Sequence, residues 1–221
     1  GDMMNKILAS LLLLCSTWTQ ATTYYFVECS TGAHASCAAN VGDNARSAAT
    51  AQTSTTPWQN LAAIDTHLGG LDSLPAGTVL RFARGGAWAS VFSQTGNLNA
   101  TASSRITFED FTPAWGGSAA PIMHCGATAC VSLGNFGSTT YDGGYTFRNF
   151  KFDGTTNTST WCVTASEATQ YVTLTGVEVT GCGVGIQSNQ TATLKNRYWL
   201  ITSSNIHHNA SQGILGGFSY S

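Results

Sequence analysis

The sequence predicts an all-β chain wound as a parallel solenoid, with one short helix near its front. Three observations carry that prediction. The segments "FRNFKFDG" from Phe147, "LTGVEVTG" from Leu174 and "ITSSNIHH" from Ile201 align at a constant step of 27 residues. A short polar turn and a second small apolar run follow each: "WCVTAS" from Trp161, "VGIQS" from Val184 and "GILGG" from Gly213. The apolar runs are brief and broken by Gly, Asn, Thr or Asp, whereas a helix needs apolar residues at three- and four-residue steps over ten or more positions. Abundant Gly (24) and scarce Pro (4), with Thr, Ser and Asn between apolar residues, favour strands and tight turns. Each repeat then forms one coil around a narrow apolar interior, and the next stacks about 4.8 Å further on.

Taken in order, residues 1–21 read as a secretory signal behind a leading remnant, Gly1-Asp2. Lys6, the apolar run Ile7 to Cys15 and a small residue at Ala21 have the required pattern. That run is far shorter than the roughly 20 apolar residues of a membrane span. Residues 22–90 form a front segment. Within it Leu61, Ile64, Leu68 and Leu71 fall at helical steps, with Trp58 near the start. A helix there covers strand edges that would otherwise pair with other chains. Pro75-Ala76-Gly77 marks a turn before the strand "TVLRFA". Residues 91–221 hold the coils, of which three or four fit. An upstream one runs through "RITFEDF" from Arg105, "PIMHC" from Pro121 and "CVSLGNF" from Cys130.

Charge is low at 9% and nearly balanced, Lys+Arg 9 against Asp+Glu 11, which gives no basic footprint for nucleic acid or anionic lipid. Without Cys15, six cysteines remain: Cys29, Cys37, Cys125, Cys130, Cys162 and Cys182. An even number in an exported chain points to disulfides, and neighbour pairing is the simplest of the arrangements six cysteines allow. The sequence has no CxxC pair and no histidines at zinc-ligand spacing, so a zinc site is the weaker reading.

The coil segments resemble the right-handed parallel β-helix proteins of the pectate-lyase-like superfamily. The front half resembles them too, through "TTYYFVECSTG" at Thr22, "TPWQNLAAIDTHLGGLDSLPAGTVLRFARGGAW" at Thr56 and "SSRITFEDFTPAWGGSAAPIM" at Ser103. The resemblance implies a right-handed parallel β-helix with an N-terminal capping α-helix. It also implies an exported, carbohydrate-active protein, with a polysaccharide chain lying along one parallel sheet. Its expected activity is that of a polysaccharide lyase, or a glycoside hydrolase, on an acidic polysaccharide such as pectin or alginate. In the lyase reaction a base removes the C5 proton while calcium or a cation stabilises the carboxylate. Hydrolysis would use paired carboxylates.

The strands from Cys130, Trp161, Val184 and Gly213 align as that sheet. They carry mainly Val, Thr, Ser, Gln, Ile and Leu, without the Asp pair or Asp-Lys-Arg group of the lyases. Catalytic candidates therefore come from turns: His207, an acid/base residue type, with Glu167, Lys195 and Arg197. Trp161, Gln187 and His208 are candidate substrate contacts. Only one of His207 and His208 can face a substrate, because neighbours along a strand point oppositely. Asp142 and Asp153, each followed by Gly, are candidate calcium ligands, although Asp-Gly also serves as a plain turn. Asp153, Thr180 and His207 share one column. Lys151, Glu178 and Asn205 share another, where Lys151–Glu178 reads as a ladder ion pair. Asn149 occupies the place of the family's Asn ladder, which Gly176 and Ser203 break. Tyr145, Tyr171 and Tyr198 recur at near-coil spacing.

The competing class is a non-catalytic β-helix for glycan binding, adhesion or surface assembly. The short ending after Gly217 predicts either a truncated frame or end-to-end self-association of uncapped coils.

Overall fold

The computed structural model describes residues 21–89, 92–93, 97, 99–127, 129–134, 140–155, 160–166, 168–188 and 195–216. Strand β1 (Thr23–Phe26) and helix α1 (Ala62–Leu68) come first. Five coils of three strands follow among the described residues. They are β2 (Val79–Ala83), β3 (Ala87–Trp88) and β4 (Phe92–Ser93); then β5 (Ile106–Phe111), β6 (Ile122–His124) and β7 (Val131–Leu133). Next come β8 (Asp142–Arg148), β9 (Lys151–Asp153) and β10 (Trp161–Ala165). The last two are β11 (Thr169–Thr175), β12 (Glu178–Thr180) and β13 (Val184–Ser188); and β14 (Leu200–Thr202), β15 (Asn205–His207) and β16 (Gln212–Gly216). Successive strands enter three sheets in rotation. The first sheet runs β1-β2-β5-β8-β11-β14, the second β3-β6-β9-β12-β15 and the third β4-β7-β10-β13-β16. All the pairings are parallel.

The sequence columns hold: Phe147 meets Leu174 and Leu174 meets Ile201, while Phe152, Val179 and Ile206 align in the second sheet. The five coils exceed the three or four that the sequence suggested. Two-residue strands such as β3 and β4 are too short to show alternation, so the coil from Val79 read as part of the front segment.

The interior is an aromatic and aliphatic stack. Phe26 lies on Phe82 (centroids 4.9 Å apart) and Phe108 on Phe147 (4.6 Å), with Phe92 edge-on to Phe82 and Phe108. In the last three coils the bend from first to second sheet is fixed locally. Asn149, Gly176 and Ser203 all adopt left-handed backbone, at φ 58°, 64° and 50°. A Cβ at Gly176 would come within 2.5 Å of Asn149 Oδ1, so a larger residue there has to displace that amide. Asn149 donates instead to Asp110 Oδ1 at 2.8 Å, one coil earlier.

At the front, Trp58 bridges to Phe26 and closes the free edge of β1 through Val27 N–H to Trp58 O (2.9 Å) and Trp58 N–H to Tyr25 O (2.8 Å). The indole stacks between Tyr24 and His67 of α1. Helix α1 is shorter than its predicted apolar stripe, ending at Gly69 with φ 79°, and Leu71 falls in a separate turn. Disulfides join Cys29–Cys37, Cys125–Cys130 and Cys162–Cys182, the neighbour pairing. Apart from Ala21, the expected export signal lies outside the described residues, and so does Glu167.

Candidate functional site: the outward face of the second sheet

Alternation along three short strands assembles this face. In β9, β12 and β15 the middle residue, Phe152, Val179 or Ile206, packs inward, so the residues on either side project outward. Register then stacks Lys151, Glu178 and Asn205 in one column and His124, Asp153, Thr180 and His207 in the next. Lys151 Nζ lies 3.3 Å from Glu178 Oε1 and 4.0 Å from Asp153 Oδ2. The ladder ion pair read from the sequence is therefore present. The same Glu178 oxygen lies 3.4 Å from His207 Nε2.

His207 Nδ1 is 2.5 Å from His208 Nδ1. Two bare ring nitrogens would repel at that distance, so one carries the hydrogen. Left-handed backbone at His208 (φ 50°) turns its ring back toward His207, which strand alternation alone would not allow. If His207 donates from Nε2 to Glu178, its Nδ1 must accept from His208 Nδ1–H. That leaves His208 Nε2, on an exposed side chain, as a free proton acceptor.

Asp153 is held ionised. Burial alone would raise its pKa, but hydrogen bonds to Oδ1 from Thr155 N–H (2.9 Å) and Oγ1–H (2.6 Å), with Lys151 and His124 nearby, hold it below the usual carboxylate range. His124 Nε2 donates to Thr31 O at 2.6 Å, since a carbonyl can only accept, and its buried Nδ1 has no hydrogen-bond partner among the described residues.

The remaining candidates lie elsewhere. Lys195 and Arg197 sit in the bend between the third and first sheets, apart from His207. Lys195 is exposed. Arg197 donates to Gln170 Oε1 at 3.2 and 3.0 Å and lies over the Tyr141 ring at 3.8 Å. Trp161 and Gln187 belong to the third sheet, whose column Ser132–Thr164–Gln187–Leu215 has no ionisable side chain. Asp142 is fully buried, which departs from the exposed turn its Asp-Gly sequence suggested. Its Oδ1 accepts from Tyr145 O–H (2.6 Å) and Asn97 N–H (2.7 Å), and its Oδ2 from Gly134 N–H (3.2 Å). Asp142 begins β8 and Asp153 ends β9, so they occupy different corners and cannot share one ion. Tyr145 points inward beside Val172, whereas Tyr171 and Tyr198 stack on each other at 4.9 Å, so the three tyrosines are not one column. His124 is not among the candidates that the sequence offers, and Glu178 enters there as half of a ladder ion pair with Lys151. Their shared columns were the available signal.

No family model matches the sequence, and no curated protein matches it. Among solved structures the chain is similar to an alginate lyase from Paenibacillus sp. str. FPU-7, at 13% identity and a TM-score of 0.45. The likeness covers 65% of this chain and 41% of that one. Among the described residues, no helix is long and apolar enough to cross a membrane. The three disulfides are consistent with an extracellular protein.

Proposed function

We propose that the protein is a right-handed parallel β-helix of the pectate-lyase-like superfamily, exported to act on an acidic polysaccharide by β-elimination. One observation carries this reading: the contact chain from Glu178 through His207 to His208, with Lys151 beside it on the same face. His208 Nε2 takes the C5 proton, and His207 and Glu178 spread the resulting positive charge. Lys151 faces the uronate carboxylate. The C5–H and C4–O4 bonds break, a C4=C5 double bond forms, the departing O4 takes a proton from water, and the hydroxide left takes the proton held on His208. Calcium remains an expectation from the resemblance. Of its two candidate ligands only Asp153 lies on this face, and no step here is assigned to a metal.

The test is release of unsaturated uronate from polygalacturonate or alginate, followed by ultraviolet absorbance. His208→Ala and Glu178→Gln are expected to slow it by about 100-fold or more. Unchanged rates in both variants, or reducing ends without unsaturation, would reject the reading. The charge-free third sheet favours a non-catalytic glycan binder as the second reading, in which polysaccharide is retained at unchanged chain length.

A further inference from the structure

We infer that the outward face of the first sheet is a second binding site, separate from the His208 face, for a linear polyanionic glycan. The register builds its floor. Thr107, Thr146 and Thr173 stack in one column, and Arg148, Thr175 and Thr202 in the next. These side chains line a groove of about 610 Å³, walled on one side by the segment Ala102–Arg105. Arg105 reaches across it, donating from Nε to Ala102 O (3.1 Å) and from Nη1 to Thr173 Oγ1 (2.5 Å).

Two features specify the ligand. The lining has two guanidiniums and no carboxylate. Glu109, the nearby acid, is shared between Arg81 at 2.8 Å and Arg148 at 3.5 Å. No aromatic ring lines the groove, so a neutral glycan would find nothing to stack on. Hydroxyls that donate and accept, with guanidiniums among them, suit alternating sugar hydroxyls and carboxylates or sulfates. The coils advance about 4.8 Å per strand, close to the length of one pyranose along a chain. A polysaccharide laid across the strands therefore meets a threonine hydroxyl at each of β5, β8, β11 and β14, with Arg148 beside Thr146.

This inference does not depend on catalysis, and the experiment separates the two. Binding is measured by affinity electrophoresis and calorimetry in the full chain carrying His208→Ala, so that turnover of the ligand is slowed. The probes are polygalacturonate, a sulfated galactan, neutral dextran and a single-stranded oligonucleotide. Polygalacturonate or the sulfated galactan is expected to bind, weakening steeply with salt, while dextran does not. Arg105→Gln with Arg148→Gln should weaken binding about tenfold or more. Thr175→Glu, which places a negative charge on the floor, should do the same. Retained affinity in both variants would overturn the assignment, as would equal binding of dextran or tighter binding of the oligonucleotide. If the unmodified chain releases no unsaturated product yet these binding results hold, the lyase reading fails and the groove stands.

Discussion

Asp142 and Asp153 are carboxylates of one coil with opposite electrostatics. Burial pushes Asp142 up, against the donors from Tyr145, Asn97 and Gly134, whereas Asp153 is held low. A lowered carboxylate stabilises the fold above its unfolded pKa, ordinarily about 3.9, and that contribution is lost as pH falls through the folded value. Urea unfolding between about pH 5 and pH 3 should therefore show a smaller loss of stability in Asp153→Asn than in the unmodified chain. Asp142 has the opposite sign: its contribution is present at low pH and declines as pH rises through its raised pKa. Asp142→Ala leaves the Tyr145 O–H without this acceptor, while Asn97 N–H keeps the Tyr145 oxygen at 3.2 Å, so a loss of about 1–3 kcal/mol is expected in the same assay. Of these two residues only Asp153 was legible in advance, because a constant step of 27 puts it in a column with His207. The burial of Asp142 was hidden, since one partner, Asn97, lies 45 residues away and Asp-Gly-Gly reads as a surface turn.

Each strand is too short to be stable alone, and it gains its place from stacking and from covalent ties. Phe108 packs on Phe147 and Phe92 within the interior. Phe108→Ala should cost about 3–5 kcal/mol by calorimetry or denaturant titration. The Cys162–Cys182 bridge links the start of β10 to the bend after β12, across a sequence separation of 20. Replacing both cysteines with alanine should cost about 3 kcal/mol, if closing that loop in the unfolded chain is the main effect. The first two sheets were readable from sequence in the later coils because their pairs keep a constant step, as Thr175 with Thr202 shows. The third sheet was readable only by the type of its segments. Trp161 meets Val184 and Val184 meets Gln212, so the step there is first shorter and then longer than in the other sheets. The groove on the first sheet was missed for another reason. Arg105 and Thr173 are 68 residues apart, and no repeat of the sequence joins them.

Over the whole molecule, protection is expected to follow burial. Phe147, Phe152 and Val179 are fully buried, whereas Leu200, Ile214 and Leu215 of the last described coil are 54%, 48% and 40% exposed. Amide hydrogen exchange should be slowest through β5 to β12 and fastest through β14 to β16. Uniform protection along the five coils would show that the stack opens as one unit. The two kinds of bend carry a consequence for evolution and engineering. Between the first and second sheets of the last three coils, Asn149-Phe150, Gly176-Val177 and Ser203-Ser204 each span the turn with two residues, the first left-handed, whereas the same corner runs from Ala83 to Ala87 in the first coil and from Phe111 to Ile122 in the second. One residue added to these two-residue turns would shift the strand that follows out of its inward–outward alternation. Between the third and first sheets the connection varies widely in length, from Ala165 to Thr169 in one coil and from Ser188 to Leu200 in the next. That corner absorbs insertions, so new loops can be grafted at it while both outward faces stay in register.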